Sequence, residues 1–211
     1  MLNFKTSYPP LIRITADPPS PRAREALETH IDELMKLRVL REVGHKEEVE
    51  VTTPVIITWH KDKSRMVGDF STFNTYTILD RYPIPRINET LNQLSKARFI
   101  TSMDYPKGFH QHVLTPPSRI LLRIIYHCGS YEYLRRPFVI KNAPSHYQRM
   151  RNIIFPPELS EGWLILFIDD IITHSKTWIL NLDRPSLVLN RILQVNMKTS
   201  LKKFKFGLHE L

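Results

Sequence analysis

Phe167-Ile168-Asp169-Asp170 places two adjacent carboxylates between two apolar runs, 164–168 and 171–175. The runs read as strands, so the pair falls at a hairpin tip. Asp suits turns, and the pair taken alone reads as an ordinary surface turn. Asp104 changes the weighing, because it ends a further apolar strand, 97–104. Three carboxylates on neighbouring strand ends can hold two Mg²⁺ ions, since hard divalent cations take oxygen ligands. Two such ions about 3.5–4 Å apart activate an attacking hydroxyl and stabilise a leaving phosphate oxygen. The same chemistry serves a nuclease, so the carboxylates alone leave the reaction open.

The elements that must position these groups alternate irregularly, which predicts an α+β fold. Ser20-Pro21 reads as an N-cap with proline at the first helical position, and the apolar spacing predicts an amphipathic helix over 21–38. Short strands are expected at 47–51, 55–59 and 65–70, around the charged turn 61–64. The stretch 71–86 reads as turn-rich, with Pro83 and Pro85 as breakers. A short helix is expected at 87–96 and a helical turn at 108–113. A hairpin joins 119–126 to 131–134 around Cys128-Gly129-Ser130, and helices follow at 143–155 and 183–195. The last stretch, 201–211, reads as a basic strand. The proline-rich residues 1–20 read as an extended arm without an apolar signal-peptide core.

Composition narrows the partner class. The 211 residues are 42% hydrophobic and 24% charged, a globular balance. Lys and Arg number 30 against 21 Asp and Glu, a net charge of +9, which favours a polyanionic partner such as nucleic acid. Cys128 is the single cysteine, which excludes an internal disulfide and a zinc site built from cysteine pairs. It points to an intracellular, reducing compartment. Apolar runs such as 163–168 are too short to span a membrane.

A series of ordered motifs then resembles the reverse transcriptases of gypsy-type LTR retrotransposons, from about residue 25 to the end. They are Thr53-Pro54-Val55, then Arg65-Met66-Val67-Gly68-Asp69-Phe70 with Asn74, then Asp80-Arg81-Tyr82-Pro83-Ile84-Pro85-Arg86-Ile87. Next come Asp104 through Gly108-Phe109-His110-Gln111, then Arg136-Pro137-Phe138 with Lys141-Asn142-Ala143-Pro144. Phe167-Ile168-Asp169-Asp170 and Lys202-Lys203 through Gly207 complete the series. Each motif alone is weak; their order is the signal.

The resemblance implies a right-hand polymerase core with an antiparallel palm sheet and no thumb. It implies fingers at 21–86 and 115–143 and palm at 87–114 and 144–211. It implies RNA-directed DNA polymerisation with two Mg²⁺ ions, or Mn²⁺ in their place, held by Asp104, Asp169, Asp170 and the Tyr105 backbone carbonyl. Arg65, Lys107, Gly108, Phe109, Phe138 and Lys203 are the implied nucleotide-binding residues, with Phe109 as the steric gate against a 2′-hydroxyl. Core packing also accounts for Phe109, and both readings hold together. Phe167, Asn74 and Pro137 are the implied nucleic-acid contacts. The implied partners are a primed RNA or DNA template, dNTPs and other domains of a retroelement polyprotein, and the implied setting is the cytoplasm, nucleus or retroelement particle. Val139 stands where the resembled pattern has glycine, Arg136 replaces an apolar residue and Ser71 an arginine. These departures keep a second reading open: a catalytically silent nucleic-acid-binding or interaction remnant.

Overall fold

Ser20 starts the first helix as the sequence predicts: its hydroxyl accepts from the Ala23 N–H, and Pro21 follows at N1. In the computed structural model, residues 18–44, 47, 51–105 and 107–209 are described. Most of the expected arm 1–20 and most of the expected strand 47–51 lie outside them. In chain order the elements are α1 (Pro21–Lys36), β1 (Leu40–Glu42), β2 (Thr53–His60), β3 (Lys63–Gly68), α2 (Ser71–Tyr76), α3 (Ile87–Leu94) and β4 (Phe99–Asp104). A 3₁₀ turn (Gly108–Gln111) leads to α4 (Pro116–Ile120), β5 (Arg123–Tyr126), β6 (Gly129–Tyr133), α5 (Ala143–Ile154) and α6 (Pro156–Ser160). The chain continues through β7 (Leu164–Phe167), β8 (Asp170–Ser175), α7 (Trp178–Gln194), a second 3₁₀ turn (Leu201–Lys203) and β9 (Lys205–Leu208). No helix among the described residues is long and apolar enough to cross a membrane.

The chain divides into two compact units. The first holds the described residues up to Leu79 together with Phe109–Ala143. Its five-stranded sheet runs β1-β6-β5-β2-β3, with β2 parallel to β5 and the other pairs antiparallel. Leu27 and Ile31 of α1 are buried, as are Val55, Phe70, Phe73, Leu122, Ile124 and Tyr133. Four charges cross this sheet. Arg123 and Glu132, both almost fully buried, pair at 3.2 Å. Arg41 bridges Glu132 at 3.0 Å and Glu47 at 2.8 Å, and Arg123 also reaches Glu47 at 2.9 Å. Pairing on both sides keeps the buried charges compensated.

Two stretches of this unit differ from the sequence expectation. Residues 71–76 are helical rather than turn, because the Asp69 carboxylate accepts from the Ser71 N–H and hydroxyl, and Phe73 is buried. Residues 119 and 120, expected to open a strand, instead close a helix over Pro116–Ile120: Pro116 opens it, and the Thr115 and Ser118 hydroxyls bond each other at 3.0 Å.

The second unit holds Asp80–Gly108 and the described residues from Pro144 onward. Its antiparallel sheet runs β7-β8-β4-β9. Along β4 the side chains alternate faces. Ile100 joins Leu94 and Ile165 in a buried cluster with Ala97 and Ile172 against it. On the other face, the Thr101 hydroxyl donates to Asn181 Oδ1 of α7 at 3.0 Å and Phe99 meets the Trp178 ring edge-on at 5.3 Å. Helix α7 starts at Trp178, before the expected residue 183, because Thr177 caps it by accepting from the Leu180 N–H. Pro185 therefore lies inside the helix, fully buried.

Candidate active site

The site is built on β4 and the β7–β8 hairpin of the second unit. Asp104 is the last residue of β4 and Asp170 the first of β8, and the two are direct cross-strand partners. Phe167 pairs with Asp170, so Ile168 and Asp169 form a two-residue connection. Ile168 has φ of 44°, in the left-handed region that suits glycine rather than a β-branched residue. Helix α5 holds this strained tip through two residues three apart. Gln148, buried, donates from Nε2 to the Leu166 carbonyl at 3.0 Å and accepts the Ile168 N–H at 3.3 Å. Arg151, also buried, donates from Nη2 to the Asp170 carbonyl at 2.7 Å. The Tyr105 N–H donates to the Asp169 carbonyl at 3.3 Å, joining the strand ends.

The electrostatics are those of a crowded acidic cluster with cations beneath and beside it. Burial, and then the neighbouring Asp104 charge, raise the Asp170 carboxyl above its ordinary value. Burial raises that of Asp169, the Arg151 guanidinium opposes the rise, and Asp104 and Asp170 add to it. Arg151 lies 5.1 Å from the Tyr105 ring centroid and 5.5 Å from that of Tyr147, within cation–π range of both. Burial lowers its own pKa. Its Nε and Nη1 have no hydrogen-bond partner among the described residues. The Lys203 ammonium is ion-paired to Asp104 Oδ2, and that contact raises its pKa.

The donor set fits divalent cations. The Asp104 charge raises the charging cost of both Asp169 and Asp170, and Asp169 Oδ1 is buried with no partner among the described residues. A buried carboxylate oxygen left unpaired is costly, and a cation beside it removes that cost. Gly108 is fixed by close approach. A Cβ there would lie 2.5 Å from the Tyr147 hydroxyl and 2.7 Å from Asp169 Oδ1. Lys107, beside it, is exposed with φ of 50°.

The remaining residues singled out from the sequence lie in the first unit, except Phe167, which is half-buried in β7. Arg65 lies on β3 opposite Thr58. Phe109 is buried, and its ring meets Phe138 edge-on at 5.5 Å; Phe138 itself is 48% exposed. His110 donates from Nδ1 to the Arg136 carbonyl at 3.0 Å and packs on Phe138 at 4.5 Å. Pro137 is buried. The Asn74 amide spans the next turn: it donates to the Val139 carbonyl at 3.0 Å and accepts the Lys141 N–H at 2.9 Å. Val139 is exposed and keeps a negative φ, so the backbone does not need glycine there. Sequence reading missed Gln148, Arg151 and Tyr147; the available signal was a pair of polar residues, i and i+3, on an amphipathic helix.

The family model for reverse transcriptase (RNA-dependent DNA polymerase) matches residues 48–210. The chain belongs to the reverse transcriptase family. This reverse transcriptase chain is 39% identical over 145 residues to the retrovirus-related Pol polyprotein from transposon 297 of Drosophila melanogaster, covering 69% of this chain and 14% of that one. It is 34% identical over 189 residues to the corresponding polyprotein from transposon opus of the same organism, covering 87% and 18%. The reverse transcriptase chain thus spans less than a fifth of the length of these relatives. Among solved structures, the foamy viral protease-reverse transcriptase in complex with RNA/DNA hybrid superposes with a TM-score of 0.83 at 20% identity, over 97% of this chain and 28% of that one. A prototype foamy virus protease-reverse transcriptase gives 0.81 at 24%, over 97% and 27%. These likenesses establish the α+β reverse transcriptase fold.

Proposed function

We propose that this chain is the fingers and palm of an RNA-directed DNA polymerase that extends a primer on a template by nucleotidyl transfer from dNTPs. The observation that carries the reading is the gathering of Asp104, Asp169 and Asp170 at the β4 and β8 ends, with Asp169 Oδ1 unpartnered among the described residues. The first unit is assigned to the fingers and the second to the palm. Asp104, Asp169 and Asp170, with the Tyr105 carbonyl, are the proposed holders of two Mg²⁺ ions, or of Mn²⁺. When bound, such ions lower the charge barrier to attack of a 3′-hydroxyl on an α-phosphate and to departure of pyrophosphate.

The chain's own residues do the rest. Gln148 and Arg151 fix the tip that carries Asp169 and Asp170. Gly108 leaves room for the backbone beside Asp169. With a cation held at Asp104, Lys203 would be left to pair with another anion, and a triphosphate oxygen would supply one. Phe109, buried against Phe138, presents a rigid wall suited to gating the sugar 2′ position. Arg65 and Lys107 supply phosphate contacts, with the Arg fork suited to bidentate pairing. Asn74 acts on nucleic acid through the segment it braces, which carries Pro137 and Phe138.

A second reading has an observation of its own. The Lys203–Asp104 ion pair and the Arg151 charge already offset the carboxylates without any metal, which suits a catalytically silent nucleic-acid-binding remnant. Incorporation of dTTP on poly(rA)–oligo(dT), run beside hybrid binding across salt, separates the two. Metal-dependent incorporation supports the polymerase; salt-sensitive binding without incorporation supports the remnant. Absence of both would refute either.

A further inference from the structure

A second set of ligating atoms lies in the first unit, whereas the aspartates belong to the second. Glu28 of α1 and the two residues linking β5 to β6, His127 and Cys128, bring a carboxylate oxygen, an imidazole nitrogen and a thiol together, all within 4.8 Å of one another. Nε2 of His127 is 2.9 Å from Cys128 Sγ and 3.8 Å from Glu28 Oε1. Tetrahedral Zn²⁺, with Zn–N of about 2.0–2.1 Å and Zn–S of about 2.3 Å, would separate these pairs by roughly 3.5 Å and 3.4 Å. Both pairs are therefore within about an ångström of a coordinating geometry. All three side chains are exposed and can make that adjustment.

Their backbones are already tied. The Tyr126 hydroxyl donates to the Arg24 carbonyl of α1 at 3.3 Å, and the Tyr126 ring meets the His127 ring edge-on at 4.1 Å. The turn that carries two ligands is thus anchored to the helix that carries the third. The ligand chemistry also differs from that of the aspartates. A thiolate and an imidazole favour a borderline-soft ion, whereas all-oxygen sites favour Mg²⁺.

We propose that Glu28, His127 and Cys128 form a Zn²⁺ site that cross-links α1 to the β5–β6 turn, with its fourth position open to water. Binding replaces the thiol proton, released to solvent, with a zinc–sulfur bond, so affinity rises with pH. The site is independent of the proposed polymerase function.

Co²⁺ serves as the spectroscopic probe. The reduced, metal-free full chain is titrated with Co²⁺ in excess Mg²⁺, and the near-ultraviolet thiolate-to-cobalt charge-transfer band is followed. One equivalent should saturate the band with the chain monomeric by size-exclusion chromatography, and Zn²⁺ should abolish it. Cys128→Ser should eliminate it, and His127→Ala and Glu28→Gln should each weaken binding at least tenfold. Because all three residues are exposed, the variants should keep the far-ultraviolet spectrum of the parent. The proposal is overturned if no band forms, if His127→Ala and Glu28→Gln leave affinity unchanged, or if the band forms only with dimerisation through Cys128.

Discussion

Gln148 holds Ile168 in a conformation that its own side chain opposes. The Ile168 N–H donates to Gln148 Oε1 while Ile168 sits at φ of 44°. Left-handed backbone costs a residue with a Cβ roughly 1–2 kcal/mol, and a β-branched one no less. The same Gln148 amide satisfies the Leu166 carbonyl, so one buried side chain offsets that strain from both sides of the tip. The strained residue directly precedes Asp169, so the carboxylate's position depends on a helix remote in sequence.

Gln148→Ala should therefore lower stability by about 1–3 kcal/mol, the cost of unsatisfied buried groups. It should lower the maximal rate of incorporation more than it raises the nucleotide KM. Denaturant unfolding and steady-state kinetics measure both. Unchanged kinetics would mean that the tip holds its shape without Gln148.

Arg151 holds the same tip. It is fully buried, and its Nη2 donates to the Asp170 carbonyl. Removing one partner of a buried charged contact costs about 3–5 kcal/mol, because the group left behind is uncompensated. Arg151→Met should thus lower stability by about that much in denaturant unfolding. Unchanged or raised stability would show that desolvation of the guanidinium outweighs its bond to the Asp170 carbonyl.

Gly108→Ala tests the packing beside Asp169. The new methyl meets the Tyr147 hydroxyl and Asp169 Oδ1 closer than real contacts allow. Overpacking of this kind costs about 1–3 kcal/mol. Removing the hydroxyl with Tyr147→Phe should recover part of that loss, and additivity of the two changes would contradict the geometry.

The first unit carries its own pH signature. The hydrogen bond from Arg41 holds the Glu47 carboxyl well down, at about 2 against an ordinary 4.5. A depressed folded-state pKa stabilises above the unfolded value and is lost as pH falls through the folded one. Acid should therefore weaken this unit between about pH 4.5 and pH 2. Glu47→Gln should flatten the unfolding curve across that window; an unchanged slope would sever the link.

The framework was legible because its signals are local. The Ser20-Pro21 cap, the apolar runs around Asp169-Asp170 and the Cys128-Gly129 hairpin each act within a few residues. The order of the motifs carried the family. Two of the misses were local side-chain caps that the apolar pattern does not show: the Asp69–Ser71 bond turned an expected loop into α2, and Thr177 started α7 ahead of Pro185. The rest was set by distant contacts. The roles of Gln148 and Arg151 appear only when α5 lies against the hairpin tip. The Asn74 amide likewise reaches the Val139–Lys141 backbone, a contact far along the chain.

The most direct test compares the chain with Asp169→Asn for dTTP incorporation on poly(rA)–oligo(dT) in Mg²⁺. The substitution keeps size and removes the charge that would hold a cation. A metal interaction worth several kcal/mol in the transition state corresponds to a loss of at least about 100-fold. The account predicts incorporation by the parent, that loss in the variant, and retained hybrid binding in both. Equal incorporation by parent and variant would contradict it.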